Sequence, residues 1–151
     1  MKVSEIMKTT VYSVRSNDPL SKVASLICRT KVSGISVIDE GKIVGIVTER
    51  DLLKAMYPSF EEFWEDPTGH MDFEYMEQRY EDVSKKKVKD HMSTPVITIP
   101  PDTPIMKAAS LLIRKHLRRL PIVKDGEVVG IISQGDIHQA IFAKECALHP
   151  E

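Results

Sequence analysis

Two copies of one short element carry the side chains of this chain that are best suited to hold a ligand. The element runs Gly, apolar, any residue, Thr or Ser, two further residues and Asp, at residues 45–51 and again at residues 130–136. A hydroxyl followed three residues later by a carboxylate is the pattern of a helix capping box. The same groups suit ribose and phosphate, because an ionised carboxylate accepts hydrogen bonds from vicinal hydroxyls and a helix N-terminus attracts phosphate. Both interpretations stay open for the two pairs, Thr48 with Asp51 and Ser133 with Asp136.

The two elements belong to a longer internal repeat, which must fold into the scaffold that positions them. Met7 aligns with Met92, 85 residues later, and the alignment continues without a gap through both copies of the element. Self-similarity over this length is the signature of a duplicated structural unit. The matched pairs include Pro19 with Pro104, Gly41 with Gly126, Gly45 with Gly130 and Ala55 with Ala140.

Each copy reads as strand, helix, strand, strand and helix. The first helix is expected to have Pro19 or Pro104 at its first position and Asp18 or Thr103 as its cap. β-Branched runs then predict two strands, 35–38 and 43–47 in the first copy and 121–123 and 128–132 in the second. A four-residue connection, residues 39–42 in the first copy, joins the strands of a hairpin with Gly at its turn. The closing helix begins at Thr48 or Ser133.

These features resemble the cystathionine-β-synthase (CBS) domain pair, or Bateman module. The resemblance rests on the repeated Gly-to-Asp element, on Ile6-Met7 and His91-Met92 upstream of the repeats, and on residues 118–121 before a strand. It implies an α/β fold of two βαββα repeats, packed sheet to sheet with pseudo-two-fold symmetry. The corresponding domain map is repeat 1 at residues 1–56, an inserted helical arm at 57–87, repeat 2 at 88–144 and a C-terminal tail at 145–151.

The resemblance also implies a role for particular residues in binding an adenine nucleotide. Asp51 and Asp136 would bind ribose, and Thr48 and Ser133 would lie near phosphate. The adenine ring would lie against Thr10, Val11 and Ile35 in one copy, and against Thr94, Val96, Leu120 and Pro121 in the other. Each of these last residues is equally explained as a core or strand-edge residue.

The two copies differ in charge at the start of the second strand. Arg118 and Arg119 stand where the first copy has Ser33 and Gly34. Because an Arg fork binds phosphate oxygens bidentately, these two side chains are candidates for the phosphate end of a nucleotide. A solvated basic helix end is the alternative. If they do bind phosphate, the two sites are not equivalent, and one is expected to be weak or empty.

Residues 57–87 have no counterpart elsewhere in the chain. Phe60, Phe63 and Trp64 are spaced as on one helix face, residues 66–69 break the pattern, and apolar residues then recur at spacings of three and four. The pattern predicts a helical hairpin with an apolar stripe. The stripe is expected either to cover an exposed edge of the repeats or to serve as a dimerisation or partner-docking arm. The apolar residues of its second half are Phe73, Met76, Tyr80 and Val83.

Composition excludes several other classes of function. The net charge of −1 is not that of a protein that binds a nucleic-acid backbone, and the N-terminus has no apolar run of signal-peptide length, so a cytoplasmic protein is expected. Cys28 and Cys146 are too few for a disulfide framework, and five scattered histidines do not predict a metal site. Neither a catalytic constellation nor a Walker-type glycine loop occurs, so an enzyme is not expected.

The expected function is therefore regulatory sensing of an adenine nucleotide. AMP, ADP and ATP are the leading ligands, NAD and S-adenosylmethionine rank behind them, and no catalytic cofactor is expected. The chain is expected to form a homodimer and to signal to a separate effector protein, without a membrane or nucleic-acid partner. The alternative is a ligand-free interaction scaffold that uses the aromatic arm.

Overall fold

The computed structural model describes residues 1–56 and 73–149, with the side chains of residues 73–76, 144 and 146 left aside. They form two compact units, Tyr12–Val96 and Met1–Val11 with Ile97–Glu151. We call these the first-repeat unit and the second-repeat unit. The N-terminal segment of each predicted repeat folds with the other repeat: residues 1–11 belong to the second-repeat unit, and residues 88–96 belong to the first-repeat unit.

The first-repeat unit is a three-stranded sheet with helices. Strand β2 lies in the middle, parallel to β1 and antiparallel to β3, with Ser36 opposite both Ser13 and Ile46. A 3₁₀ turn, Val88–Asp90, follows the last helix. In chain order the other elements are β1 (Ser13–Val14), α1 (Leu20–Thr30), β2 (Gly34–Asp39), β3 (Lys42–Thr48), α2 (Glu49–Met56) and α3 (Phe73–Ser84).

The second-repeat unit has the same order of elements around a two-stranded antiparallel sheet. A single parallel bridge between Ile99 and Ile122 takes the place of the β1 pairing, and a 3₁₀ turn, Val3–Glu5, matches Val88–Asp90. Its remaining elements are α4 (Ile105–Arg114), β4 (Arg119–Lys124), β5 (Glu127–Ser133), α5 (Gln134–Ile141) and α6 (Ala143–Leu148). The predicted α/β class and the duplicated βαββα plan are thus confirmed.

The same aligned positions build both hydrophobic cores. Apolar side chains at these positions are buried in each unit, which removes them from water and drives each unit to fold. The offset of 85 residues in the sequence is therefore the spacing between equivalent core residues. The buried pairs are Val3 and Val88, Val14 and Ile99, Leu20 and Ile105, Val23 and Ala108, Ile35 and Leu120, Val37 and Ile122, and Val47 and Ile132.

The hairpin connections are shorter than expected. Strand pairing continues to Asp39 opposite Lys42 in the first unit, so only two residues form the turn, and the four-residue prediction was wrong. Glu40 and Gly41 have φ of 50° and 78°, as a type I′ turn requires, because its twist matches that of the strands. The turn at Asp125 and Gly126 repeats this geometry.

The expected caps of α1 and α4 were also wrong. Pro19 and Pro104 occupy the capping positions with extended backbone, so each helix begins one residue later than predicted. The Asp18 carboxylate instead accepts hydrogen bonds from the Arg15 amide at 2.8 Å and from Lys22 Nζ at 3.0 Å. The Thr103 hydroxyl donates to the Pro100 carbonyl at 2.7 Å.

Helix α3, Phe73–Ser84, lies in the second half of the inserted segment. It belongs to the first-repeat unit, and its Val83 is buried in that unit's core, while Tyr80 stays 43% exposed. The first half, with Phe60, Phe63 and Trp64, lies outside the described residues. Whether the stripe covers an exposed edge or docks a partner stays a prediction.

Candidate functional site

In the first-repeat unit the repeated element forms a capping box at the start of α2. The Thr48 amide donates to Asp51 Oδ2 at 2.8 Å, the Thr48 hydroxyl lies 3.0 Å from the same oxygen, and the Asp51 amide donates to Thr48 Oγ1 at 3.2 Å. Both groups therefore cap the helix. Within residues 1–56 and 73–149, Asp51 Oδ1 has no hydrogen-bond or ion-pair partner.

In the second-repeat unit Ser133 and Asp136 form the same box at the start of α5. The Ser133 amide and hydroxyl donate to Asp136 Oδ2 at 2.8 and 2.6 Å, and the Asp136 amide donates to Ser133 Oγ at 3.2 Å. Here the other oxygen, Oδ1, lies 3.2 Å from Lys8 Nζ. Burial alone would raise the pKa of Asp136, but the hydrogen bonds from Ser133 and the Lys8 ammonium together hold it below its ordinary value.

The glycine of each element lets a second backbone segment approach the strand closely: residues 7–8 approach β5 at Gly130, and residues 92–93 approach β3 at Gly45. In the second-repeat unit, Lys8 and Ile131 exchange two backbone hydrogen bonds of 2.9 Å, and Met7 packs on Gly130. The equivalent bonds in the first-repeat unit join Ser93 and Ile46, at 2.8 and 3.2 Å. The contact explains why a methionine upstream and a glycine in the strand recur together in the sequence.

Two arginines lie beside the second box. Arg118 is exposed and Arg119 is half-buried at the start of β4. The Arg118 carbonyl accepts from the Gln134 amide at 3.0 Å, which ties this strand end to the start of α5. Burial, followed by the neighbouring Arg118, lowers the pKa of Arg119, and Asp136 partly opposes the shift. The predicted phosphate-end residues and the predicted ribose carboxylate are thus brought together in one unit.

The residues expected around adenine have different environments. Ile35 and Leu120 are 0% exposed in the two cores and Pro121 is buried, so their side chains serve packing. Thr10 and Val11 belong to the second-repeat unit, and Thr94 and Val96 to the first. Both threonines are exposed and both valines are half-buried.

Ser36 is a candidate that the sequence reasoning missed. Its side chain is 2% exposed, and among the described residues its hydroxyl has no hydrogen-bond partner. It points to the face of β2 opposite Ile35 and Val37, since side chains alternate along a strand. A serine inside the apolar run 35–38, where the second copy has Pro121, was the signal available in the sequence.

A concave, mainly apolar groove lies between α1, α2 and α3 of the first-repeat unit. This lining does not suit a phosphate. The groove is lined by Leu20, Ala24, Ile27, Leu52, Met56 and Tyr80, among others.

Over residues 1–56 and 73–149 no group of His, Cys, Asp and Glu is arranged to hold a metal ion. In that same part of the chain, none of the helices has the length and apolar character needed to cross a bilayer.

Known proteins share both the sequence pattern and the fold. Uncharacterized protein MJ1426 of Methanocaldococcus jannaschii is 34% identical over 94% of this chain and 92% of its own length. Some curated relatives are longer: the chain spans 63% of CBS domain-containing protein CBSX1, chloroplastic, of Arabidopsis thaliana, at 28% identity.

Among solved structures, CBSX2 in complex with AMP has a TM-score of 0.71 and 26% identity, covering 95% of this chain and 98% of that one. CBSX2 is a chloroplastic protein of Arabidopsis thaliana. The sequence model of the CBS domain matches twice, at residues 3–58 and 88–143. The chain belongs to the CBS domain family.

Proposed function

We propose that this chain is a regulatory module that binds an adenine nucleotide, with AMP, ADP and ATP as the ligands to test first, and that it catalyses no reaction. The observation that supports the proposal most is that both units place a carboxylate at a helix N-terminus, Asp51 at the start of α2 and Asp136 at the start of α5. The similarity to CBSX2, solved in complex with AMP, supports it. NAD and S-adenosylmethionine are further ligands to test.

Capping and ribose binding are compatible in this geometry. Each box engages only Oδ2, and a carboxylate oxygen can accept two hydrogen bonds. Asp51 Oδ1 can therefore accept two ribose hydroxyls while α2 stays capped. Thr48 and Ser133 stand at helix N-termini, where the helix dipole and amides favour the negative charge of a phosphate.

The remaining contacts are assigned by chemistry. In the second-repeat unit, Arg118 and Arg119 supply guanidinium groups for phosphate. The Ser36 hydroxyl is a candidate hydrogen-bonding group for the ligand, because a buried polar group without a partner is costly unless something satisfies it. For the adenine ring, the candidate contacts are Thr10, Val11, Ile35, Thr94, Val96, Leu120 and Pro121, with Ile35 and Leu120 contributing backbone.

A ligand-free interaction scaffold is the competing function. The two capping boxes and the apolar groove beside α3 favour it, since both need no ligand to explain them. We further propose that the module acts as a homodimer and passes its state to a separate effector protein. Sedimentation of the purified protein tests the dimer.

Thermal shift separates sensor from scaffold. A ligand at about one hundred times its Kd adds about 2.7 kcal/mol, which raises Tm by about 5 to 10 °C for a chain of this size. The test compares AMP, ADP, ATP, NAD and S-adenosylmethionine on the unaltered protein, on Asp51→Ala and on Asp136→Ala. Asp102→Ala, an exposed carboxylate outside both boxes, is the matched control. No shift with any of these ligands would contradict the sensor and favour the scaffold.

A further inference from the structure

The two capping boxes differ in what their free carboxylate oxygen meets. Asp136 Oδ1 is held by Lys8 at 3.2 Å, whereas the residue at the Lys8 position of the first-repeat unit is Ser93. The backbone of both residues is fixed in the same way, by paired hydrogen bonds to Ile131 or Ile46. The difference therefore lies in the side chain alone, and among the described residues it puts a cation on the second box and not on the first.

Lys8 occupies the oxygen that ribose would use. Oδ2 of Asp136 already accepts two hydrogen bonds from Ser133, and Lys8 takes one of the two acceptor positions of Oδ1, so both ribose hydroxyls can bind the carboxylate only if the ammonium turns away. The Asp136 side chain is 14% exposed and that of Lys8 is 69% exposed. The carboxylate is thus the fixed partner, and the long lysine side chain is the group free to turn away.

We infer that Lys8 makes the second-repeat site select phosphorylated nucleotides over the corresponding nucleosides. This rests on the proposed function. A nucleoside displaces the ammonium and offers it no other anion. A nucleotide displaces it and supplies a phosphate, which the same side chain can then bind together with Arg118. The first-repeat site, with Ser93 and Ser33 at the equivalent positions, lacks this means of discrimination.

The expected change in affinity follows from the solvent exposure of the Lys8–Asp136 ion pair. An ion pair with one exposed partner contributes up to about 1 kcal/mol, which corresponds to about a five-fold change in affinity. Lys8→Ser, which copies Ser93, removes the competitor for Asp136 Oδ1 and the extra phosphate contact together. Adenosine should bind as tightly or more tightly, AMP should bind more weakly, and the ratio of their affinities should fall about five-fold.

The experiment is calorimetric titration of AMP and of adenosine into the full chain carrying Asp51→Ala, which silences the first-repeat site. Lys8→Ser and the matched exposed-lysine control Lys107→Ser are made in that background, and thermal melts confirm folding. A ratio that falls in Lys8→Ser and not in Lys107→Ser supports the inference. An unchanged ratio overturns it while nucleotide binding stands. If neither ligand binds the Asp51→Ala protein or the unaltered chain, the proposed function falls and the inference with it.

Discussion

The Met7 side chain lies on the bare Cα of Gly130, where an added Cβ would stand 2.6 Å from the methionine sulfur and 3.0 Å from the Lys8 carbonyl oxygen. Met92 covers Gly45 in the same way, but there the nearest atoms to an added Cβ all belong to the methionine side chain. A flexible thioether can turn aside, whereas a strand-paired carbonyl cannot.

Gly130→Ala should therefore destabilise the protein more than Gly45→Ala. We expect a loss of about 1 to 3 kcal/mol for Gly130→Ala, as for other overpacked sites, and a smaller loss for Gly45→Ala. Urea denaturation of the two variants measures the difference. Equal losses would show that the Lys8 carbonyl does not limit the space at Gly130.

Acid should weaken the second capping box. Because the pKa of Asp136 is lower in the folded protein than its ordinary value of 3.8, its stabilising contribution is complete above about pH 4 and is lost as pH falls towards the folded pKa. The Tm difference between the unaltered protein and Asp136→Asn should hold steady from pH 7 to about pH 5 and shrink below about pH 4. A difference that stays constant to pH 3 would contradict the bonding described at Asp136 Oδ2.

Ser36→Ala should stabilise the protein in the absence of ligand. The Ser36 hydroxyl is buried and has no partner in the part of the chain that the structure describes. Removing it relieves its desolvation cost, and we expect a gain on the order of 1 kcal/mol. Chemical denaturation measures it, with the exposed neighbour Ser13→Ala as the control that should change little. A clear loss of stability in Ser36→Ala would show that the hydroxyl is satisfied within the protein.

Much of the fold was predictable because the information is local. Apolar spacing identified α1 and β2, and the offset between Met7 and Met92 relates the seven buried pairs of the two cores. The predicted length of the turn at Glu40 was wrong, because the turn length depends on how far the two strands pair, and the residue types around the turn do not determine this. The prediction that Asp18 caps α1 was wrong because Pro19 has an extended backbone, and the helix therefore begins at Leu20.

The candidate site was predictable only in part. The capping pairs are three residues apart, so the pattern that forms them is visible in the chain. Lys8 and Asp136 are far apart in sequence, and only folding of residues 1–11 with the second repeat brings them together. The unpartnered state of Ser36 also depends on what surrounds it in three dimensions.

Calorimetric titration of AMP into the purified protein is the most direct test of nucleotide binding, with Asp51→Ala/Asp136→Ala as the comparison and circular dichroism to confirm that both fold. We predict saturable binding to the unaltered chain and its loss in the double variant, because both ribose carboxylates are removed. Absence of binding to the unaltered chain at AMP concentrations up to about 1 mM would contradict a nucleotide-sensing function, because a Kd of about 1 mM corresponds to a binding free energy of only about −4 kcal/mol.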